Sequence, residues 1–440
     1  MDWISLRVCR LGGIPALAAL TLFTPLVIAW ADPPERGEIR VARLIRELGS
    51  GEYSKRQAAD AQLATLGKES RAQLQRALAD DDLEVRLRAG RLLQRLELDD
   101  LWSAGRVEFA AQGQPASKVL LALAAQTGNH VYVGDPYGTF AEKVLESNYA
   151  PMSYWEAVDD ICQRTGNRIR PHYDMHTPGV VISAGSPGGY PRAYAGPVRA
   201  QITSARRTFI EELNYEERKA ELTHSFHINL QFTWEDRFRV VGYASQPEMV
   251  EAITDDHIKV SAAQPSAGGW NATTTGLRQV SSGVKLNPVP VSARSLELLK
   301  IKWGLIAVGE PAVLEISRLE PDQSFSQDDL TVRIEALEKQ SASKCLLTLS
   351  VVRDLAMPEP QEVIFQEYTA ELLDGQGRPF RLQSQNHALT DHGVQLKIAY
   401  LGETPESEPS SLKLHYPRLR ARRDLELVFR NVPLPVNRPE

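Results

Sequence analysis

The chain is poor in cysteine, and this scarcity limits the class of protein it can be. Only 3 of its 440 residues are cysteines, too few for a scaffold held together by many disulfides. The 50 basic residues are outnumbered by 56 acidic ones, so the strong positive charge usual in nucleic-acid-binding proteins is missing. The sequence also lacks a phosphate-binding glycine loop, a nucleophile elbow and a dinucleotide fingerprint. We therefore expect no nucleic-acid partner, no cofactor, no metal ion and no catalytic residues.

The composition is that of a folded protein. Hydrophobic residues make up 42% of the sequence, which is enough to build cores and excludes wholesale disorder. At roughly 100–200 residues per domain, the length suggests about two to four domains. We expect a multi-domain protein with three kinds of region, namely an all-α helical repeat, a small α+β domain and an all-β part.

Residues 1–31 have the pattern of a secretory signal peptide. Arg7 and Arg10 precede an apolar run over 11–30, and Ala29 and Ala31 have the spacing of a small-residue cleavage site. This pattern predicts cleavage after Ala31 and a periplasmic or secreted mature chain with no membrane span. The alternative is an uncleaved anchor, because the run is close to the ~20 apolar residues that cross a bilayer.

Residues 36–100 combine helical apolar spacing with an internal repeat. Leu44 recurs 30 residues later as Leu74, and six further positions match at the same offset. We expect four helices over 38–48, 55–66, 69–79 and 82–97. The segment 82–89 resembles the second helix of a HEAT repeat, and this resemblance implies a binding scaffold. Because only two helix pairs are present, a four-helix cap or spacer is the alternative.

Residues 106–185 alternate between short strands and two amphipathic helices. The predicted order is β-α-β-β-α-β-β, and a capping box of Ser153 and Glu156 opens the second helix. The two helix sequences, over 120–128 and 156–166, resemble those of the short N-terminal domain of secretins and TonB-dependent receptors. This resemblance implies a periplasmic protein-interaction module. In those families a secretin ring or a membrane β-barrel follows, and neither is evident after this region.

The remainder of the chain is rich in short strands. A glycine- and proline-rich linker covers 186–198, and beyond it apolar and polar residues alternate, most regularly over 225–234. Many short strands separated by turn signals are typical of β-sandwiches. We expect two immunoglobulin-like sandwiches over 199–320 and 321–436, with residues 261–290 forming a polar surface insertion.

The sequence comes closest to a metal site in a group at one strand end: His172, Asp174 and His176. These residues run into Thr-Pro-Gly instead of lying on a helix, where residues i and i+4 would share a face. We therefore expect a solvated hairpin there and no bound metal. His224 and His227 have opposite parity in one strand, so their side chains should face opposite sides.

Other residues that could carry chemistry are expected to be structural. Asp159 and Asp160 are neighbours on a helix and point about 100° apart. They make a poor acid–base pair, and we expect them to lie on a solvated helix face. Trp155 and Trp234 lie in apolar patterns that favour packing in a core over binding a ligand.

These observations favour a non-catalytic envelope protein that acts as a protein–protein interaction scaffold, with another envelope protein as its partner. One alternative, implied by the resemblance of 106–185, is an accessory subunit of a secretin or TonB-type secretion or uptake machine. A second is a carbohydrate-binding or hydrolytic envelope protein, which would need two convergent carboxylates lined by aromatic residues. The order of regions resembles that of large uncharacterised families of secreted proteins in planctomycete-like bacteria.

Overall fold

The computed structural model of the protein describes most residues after the N-terminal apolar segment: 37–134, 140, 142–146, 148–170, 179–216, 219–263, 268–273, 277–327, 329–341, 343–353, 368–390, 393–404 and 407–435. Of these residues, 51% lie in strands and 23% in helices. Their contacts divide into two units, with the boundary between Ala89 and Gly90. The predicted signal peptide lies outside the described residues. Within the described part of the chain, no helix combines the length and apolarity needed to cross a bilayer.

The N-terminal part is helical, and apolar residues three and four apart form the buried face of its first helix. Its helices are α1 (Gly37–Leu48), α2 (Tyr53–Leu66), α3 (Arg71–Ala77) and α4 (Leu83–Trp102). In α1 the buried residues are Val41, Leu44, Ile45 and Leu48, the spacing expected of one helix face. A 3₁₀ turn over Gly67–Ser70 separates α2 from α3.

The expected fold class, with an all-α HEAT-like repeat region over 36–100, is wrong. The second supposed helix pair begins with a helix of only 7 residues, against 12 in α1. Helix α4 continues to Trp102, and both Leu101 and Trp102 lie in the core of the β-sheets described below. The apolar spacing therefore continues because the end of α4 packs on a β core. The repeated leucines show that each helix buries one face, and this is true of any amphipathic helix.

Two helices and three small sheets form the region after α4. The elements are β1 (Arg106–Ala110), β2 (Gln114–Pro115), α5 (Ala116–Thr127), β3 (Val131–Val133), β4 (Val144–Leu145), β5 (Asn148–Ser153), α6 (Tyr154–Thr165), β6 (Asn167–Arg170) and β7 (Val180–Ala184). Strand β1 pairs with β5, β2 with β4, and the third sheet has the order β3-β7-β6. The expected capping box of Ser153 and Glu156 is present at the start of α6.

The rest of the described chain consists of strands: β8 (Arg192–Ala195), β9 (Val198–Asn214), β10 (Lys219–Trp234), β11 (Arg239–Ala244), β12 (Glu248–Thr254), β13 (Lys259–Val260), β14 (Trp270–Ala272), β15 (Gln279–Leu286), β16 (Ser295–Val308), β17 (Pro311–Ile316), β18 (Ser324–Gln327), β19 (Leu330–Lys339), β20 (Lys344–Arg353), β21 (Thr369–Asp374), β22 (Arg381–Thr390), β23 (Gly393–Leu401), β24 (Pro409–Pro417) and β25 (Arg420–Pro433). These strands form two pairs of sheets, each pair enclosing its own core.

The first pair of sheets has the orders β15-β10-β9-β8 and β13-β12-β16-β11-β14, with β25 also paired to β16. Strand β10 shows why these sheets pack together. Its alternate residues Phe226, Ile228, Leu230 and Phe232 are all buried, as the alternating pattern predicts. The ring of Phe232 stacks on Trp303 of β16 with the ring centroids 3.9 Å apart, so aromatic contacts join the two sheets.

The second pair of sheets has the orders β17-β24-β21 and β18-β19-β20-β23-β22. Its core is built from leucine, isoleucine and valine on alternate positions, with Tyr400 and Tyr416 fully buried among them. The hydroxyl of Tyr400 donates to the carbonyl oxygen of Ala370 at 2.7 Å, which satisfies the polar end of a buried ring.

Strand pairing corrects three predicted segments. The expected linker 186–198 contains β8, which pairs with β9. The expected surface insertion 261–290 contains β14 and β15, and β15 is a full member of the first sandwich. The C-terminal strand β25 falls within the expected second sandwich (321–436), but it pairs with β16 of the first sandwich along almost its whole length. Glycine, proline and serine content favours loops in the first two segments, whereas pairing with strands distant in sequence makes parts of them strands.

Candidate functional site

Of the histidines that the sequence singles out, the structure describes His224 and His227, and they have separate surroundings. His172, Asp174 and His176 lie outside the described residues. His224 packs its ring edge-to-face on Phe209, with centroids 4.6 Å apart, and His227 lies at the wall of a groove described below. Among the residues that the structure does describe, no three histidine, cysteine or acidic side chains are arranged to hold a metal.

Asp159 is not on a solvated face, and here the sequence-based expectation is wrong. Its side chain is 6% exposed and accepts hydrogen bonds from Arg199 Nε at 2.6 Å and Arg199 Nη2 at 2.9 Å. The hydroxyl of Tyr194 donates to the same carboxylate at 2.8 Å. The side chain of its neighbour Asp160 is 30% exposed and pairs with Arg164 at 2.6 Å. Adjacent residues on one helix thus differ in exposure and in partner.

A second buried carboxylate, Glu235, lies just after β10. It is 1% exposed and accepts a hydrogen bond from the backbone N–H of Gly105 at 2.8 Å. Its other oxygen accepts from Asn129 Nδ2 at 3.1 Å and from Arg237 Nε at 2.8 Å. The next residue, Asp236, has a raised pKa because of burial, an effect that the hydrogen bond from the backbone of His130 opposes.

These carboxylates join the small α+β region to the first sandwich. Asp159 belongs to α6 and its partner Arg199 to β9, while Glu235 reaches back to the residues flanking α5. The indole N–H of Trp155 on α6 adds a hydrogen bond to the carbonyl oxygen of Pro197 at 2.9 Å. Every oxygen of Asp159 and Glu235 accepts a hydrogen bond from the protein, so both carboxylates hold the two regions together.

A polar groove of about 930 Å³ opens beside the connection between β11 and β12, with both sheets of the first sandwich contributing to its walls. Its volume lies within the range of ligand-binding pockets, roughly 300–1,000 Å³. Its lining carries charges of both signs and a single tryptophan, including His227, Glu248, Trp270, Lys302, Arg422 and Asp424.

The tryptophan in this groove is part of the wall. The guanidinium of Arg422 lies over the ring of Trp270, 4.6 Å from its centroid. The ring also lies close to the backbone at Gly304, where a Cβ would be 3.0 Å from the ring atom Cη2. One face of the Trp270 ring is therefore occupied by a cation–π contact.

The groove also lacks a nucleophile poised for catalysis within the described residues. The hydroxyl of Ser282 donates to the carbonyl oxygen of Ser245 at 2.8 Å, and among the described residues no hydrogen bond joins the imidazole of His227 to a serine of the groove. A serine nucleophile would instead need a base within hydrogen-bond distance.

A different surface stands out in β9 and β10. From residue 206 to residue 225 these strands pair with each other and with no other described strand, because β8 pairs only with 198–201 and β15 only from 226 onward. We call residues 206–216 and 219–225 the ribbon. The ribbon carries large apolar side chains that are 45–85% exposed: Phe209, Ile210, Leu213 and Tyr215. The alternating pattern over 225–234 predicts β10 as a strand, but it does not indicate that nearly half of β10 lies beyond the sandwich.

Comparison with known proteins does not assign the chain to a family. No protein-family model matches it, and no characterised protein shows significant sequence similarity.

Proposed function

We propose that the protein is a non-catalytic interaction protein of the bacterial envelope and that the ribbon is its docking surface. The exposed apolar side chains of the ribbon carry this proposal. Phe209 and Leu213 lie on one face of β9 and Ile210 on the other, because successive residues of a strand alternate. Soluble monomers seldom leave several large apolar side chains exposed together, and such patches mark interaction sites.

The backbone of the ribbon supports the same proposal. A strand edge that no neighbour covers presents a row of N–H and C=O groups to which another chain can add a strand. A two-stranded hairpin is only marginally stable alone, so a partner strand would also stabilise the ribbon. The ribbon extends from a sandwich that the Asp159–Arg199 pair ties to the α+β region, which provides a fixed base.

The non-catalytic part of the proposal is supported by the site chemistry. Asp159 and Glu235 are fully hydrogen-bonded within the protein, and the groove presents no paired nucleophile and base in its described lining. The envelope location is supported by the signal-peptide pattern over 1–31. A role as an accessory subunit of a secretin or TonB-type machine remains the alternative, supported by the resemblance of 106–185.

Site-specific photo-crosslinking in the native envelope tests the proposal. A crosslinking residue placed at Ile210 should give discrete protein adducts, because this side chain is 52% exposed and lies in the ribbon. The matched control is Leu382, which is 50% exposed in β22 of the second sandwich and should give few or none. Equal yields at both positions would show that the ribbon is not a docking surface. A secretin found in the Ile210 adduct would favour the alternative role.

A further inference from the structure

The charges on β9 of the ribbon are arranged symmetrically about one residue. The segment reads Arg206-Arg-Thr-Phe-Ile-Glu-Glu212, with two arginines before Phe209 and two glutamates after it at matching distances. Edge strands often carry charges that prevent pairing with another chain. Here the arginines at 206–207 and the glutamates at 211–212 have opposite sign. They therefore repel the β9 strand of a second chain only in those registers that place like charges opposite each other.

Antiparallel pairing of two β9 strands makes these charges complementary. With Phe209 opposite its own copy, Arg206 lies opposite Glu212 and Thr208 opposite Ile210. Opposite residues of an antiparallel pair share a face, and oppositely charged pairs stabilise the sheet whereas like charges destabilise it. A two-residue slip in either direction removes these charge pairs, and parallel pairing sets arginine against arginine. The antiparallel register with Phe209 opposite its own copy is therefore favoured over registers shifted by two residues and over parallel pairing.

The groups that this alignment needs are available. The edge of β9 that faces away from β10 has no described strand beside it after residue 201. The side chains of Arg206 and Glu212 are both exposed. One nitrogen of the Arg207 guanidinium, Nη2, already donates a hydrogen bond within the chain, to the carbonyl oxygen of Pro290 at 3.1 Å. The outer pair, Arg206 with Glu212, therefore carries the inference.

We infer that the docking partner of the ribbon is a second copy of this chain, bound through antiparallel pairing of the two β9 edges. This inference rests on the proposed function. The product is a four-stranded sheet of order β10-β9-β9-β10 with a two-fold axis at Phe209. Such a contact is isologous, since the same surface is used by both copies. It brings Phe209 and Ile210 of each copy against apolar and β-branched neighbours that the single chain does not supply.

Charge reversal in the full mature chain tests the inference, with sedimentation equilibrium as the measurement. Arg206→Glu and Glu212→Arg each convert two attractive pairs at the two-fold interface into repulsive ones. Each should weaken the dimer on the order of tenfold. The double variant R206E/E212R should recover the affinity of the unmodified chain, and an equimolar mixture of the two single variants should form the mixed dimer. Glu338→Arg, an exposed reversal in β19, serves as the matched control and should change nothing.

The outcomes separate this inference from the proposed function. A chain that stays monomeric, together with a heterologous adduct at Ile210, would overturn the inference and leave the proposed function standing. A dimer unaffected by either reversal would show that self-association uses another surface, which also overturns it. If Ile210 gives no adduct of any kind, the proposed function itself fails.

Discussion

Replacing Asp159 by asparagine should lower the free energy of unfolding by about 3 kcal/mol, because it leaves the guanidinium of Arg199 buried without a counter-charge. The side chains of Asp159 and Arg199 are 6% and 3% exposed, and Nε of Arg199 lies 2.6 Å from the carboxylate. The substitution preserves the shape of the side chain and one acceptor oxygen. It therefore isolates the loss of charge from the loss of packing.

The magnitude follows from the environment of the pair. Removing one member of a buried ion pair typically costs about 3–5 kcal/mol, and an amide that still accepts from Arg199 belongs at the lower end of that range. The matched control is Asp160→Asn on the same helix. Its partner Arg164 is 47% exposed, and exposed ion pairs contribute about 0–1 kcal/mol. The two adjacent substitutions should therefore differ by at least about 2 kcal/mol.

Urea unfolding followed by tryptophan fluorescence measures both variants under one condition, since Trp155 reports on the α+β region and Trp303 on the first sandwich. Because the Asp159–Arg199 pair joins these regions, Asp159→Asn should also split a single unfolding transition into two. Equal midpoints for the Asp159 and Asp160 variants would refute the reasoning. That result would mean that water or another group compensates Arg199 when the carboxylate is gone.

The remaining predictions concern the core of the first sandwich and the two buried thiols. Ile228→Asp should destabilise the protein by at least about 2–5 kcal/mol, since Ile228 is fully buried, whereas Asn229→Asp on the exposed side should change stability by less than about 0.5 kcal/mol; equal denaturation midpoints would contradict the strand register. Burial raises the pKa of the Cys162 thiol to about 12, so iodoacetamide at pH 8 should leave Cys162 unmodified in the folded protein and alkylate it after unfolding. Cys162 and Cys345 are both buried free thiols in separate cores, and a bridge between them in non-reducing peptide mapping would contradict the structure.

Sequence patterns correctly predicted the secondary-structure elements that are determined by residues close together in the chain. The alternation over 225–234 identified β10 and the buried position of Ile228, because a half-buried strand needs one apolar face. The capping box of Ser153 and Glu156 located the start of α6, since both partners lie within one helical turn. In each case the residues that decide the structure are a few positions apart, so a single sequence contains the whole signal.

The misinterpreted segments depend on partners far along the chain. Asp159 looks like its solvated neighbour Asp160, and only the approach of Arg199, 40 residues away, makes it a buried anchor. The glycine- and proline-rich stretch before β9 contains β8 because β9 offers it an edge. Strand β25 joins β16 across the entire second sandwich. Nothing in the local composition of these segments encodes the partner, so periodicity alone could not place them.

The charge pattern of the ribbon has a functional consequence only because the edge of β9 is uncovered. The order of arginines and glutamates in 206–212 is visible in the sequence. In a strand with neighbours on both sides, however, the same charges would lie on the sheet surface and would have no effect on pairing with another chain. The structure leaves the β9 edge uncovered by any described strand beyond residue 201 and exposes Ile210. A palindromic charge pattern on an open edge discriminates between alignments of two identical strands, because register shifts change every cross-strand pair at once. That discrimination is what the paired reversals at Arg206 and Glu212 measure.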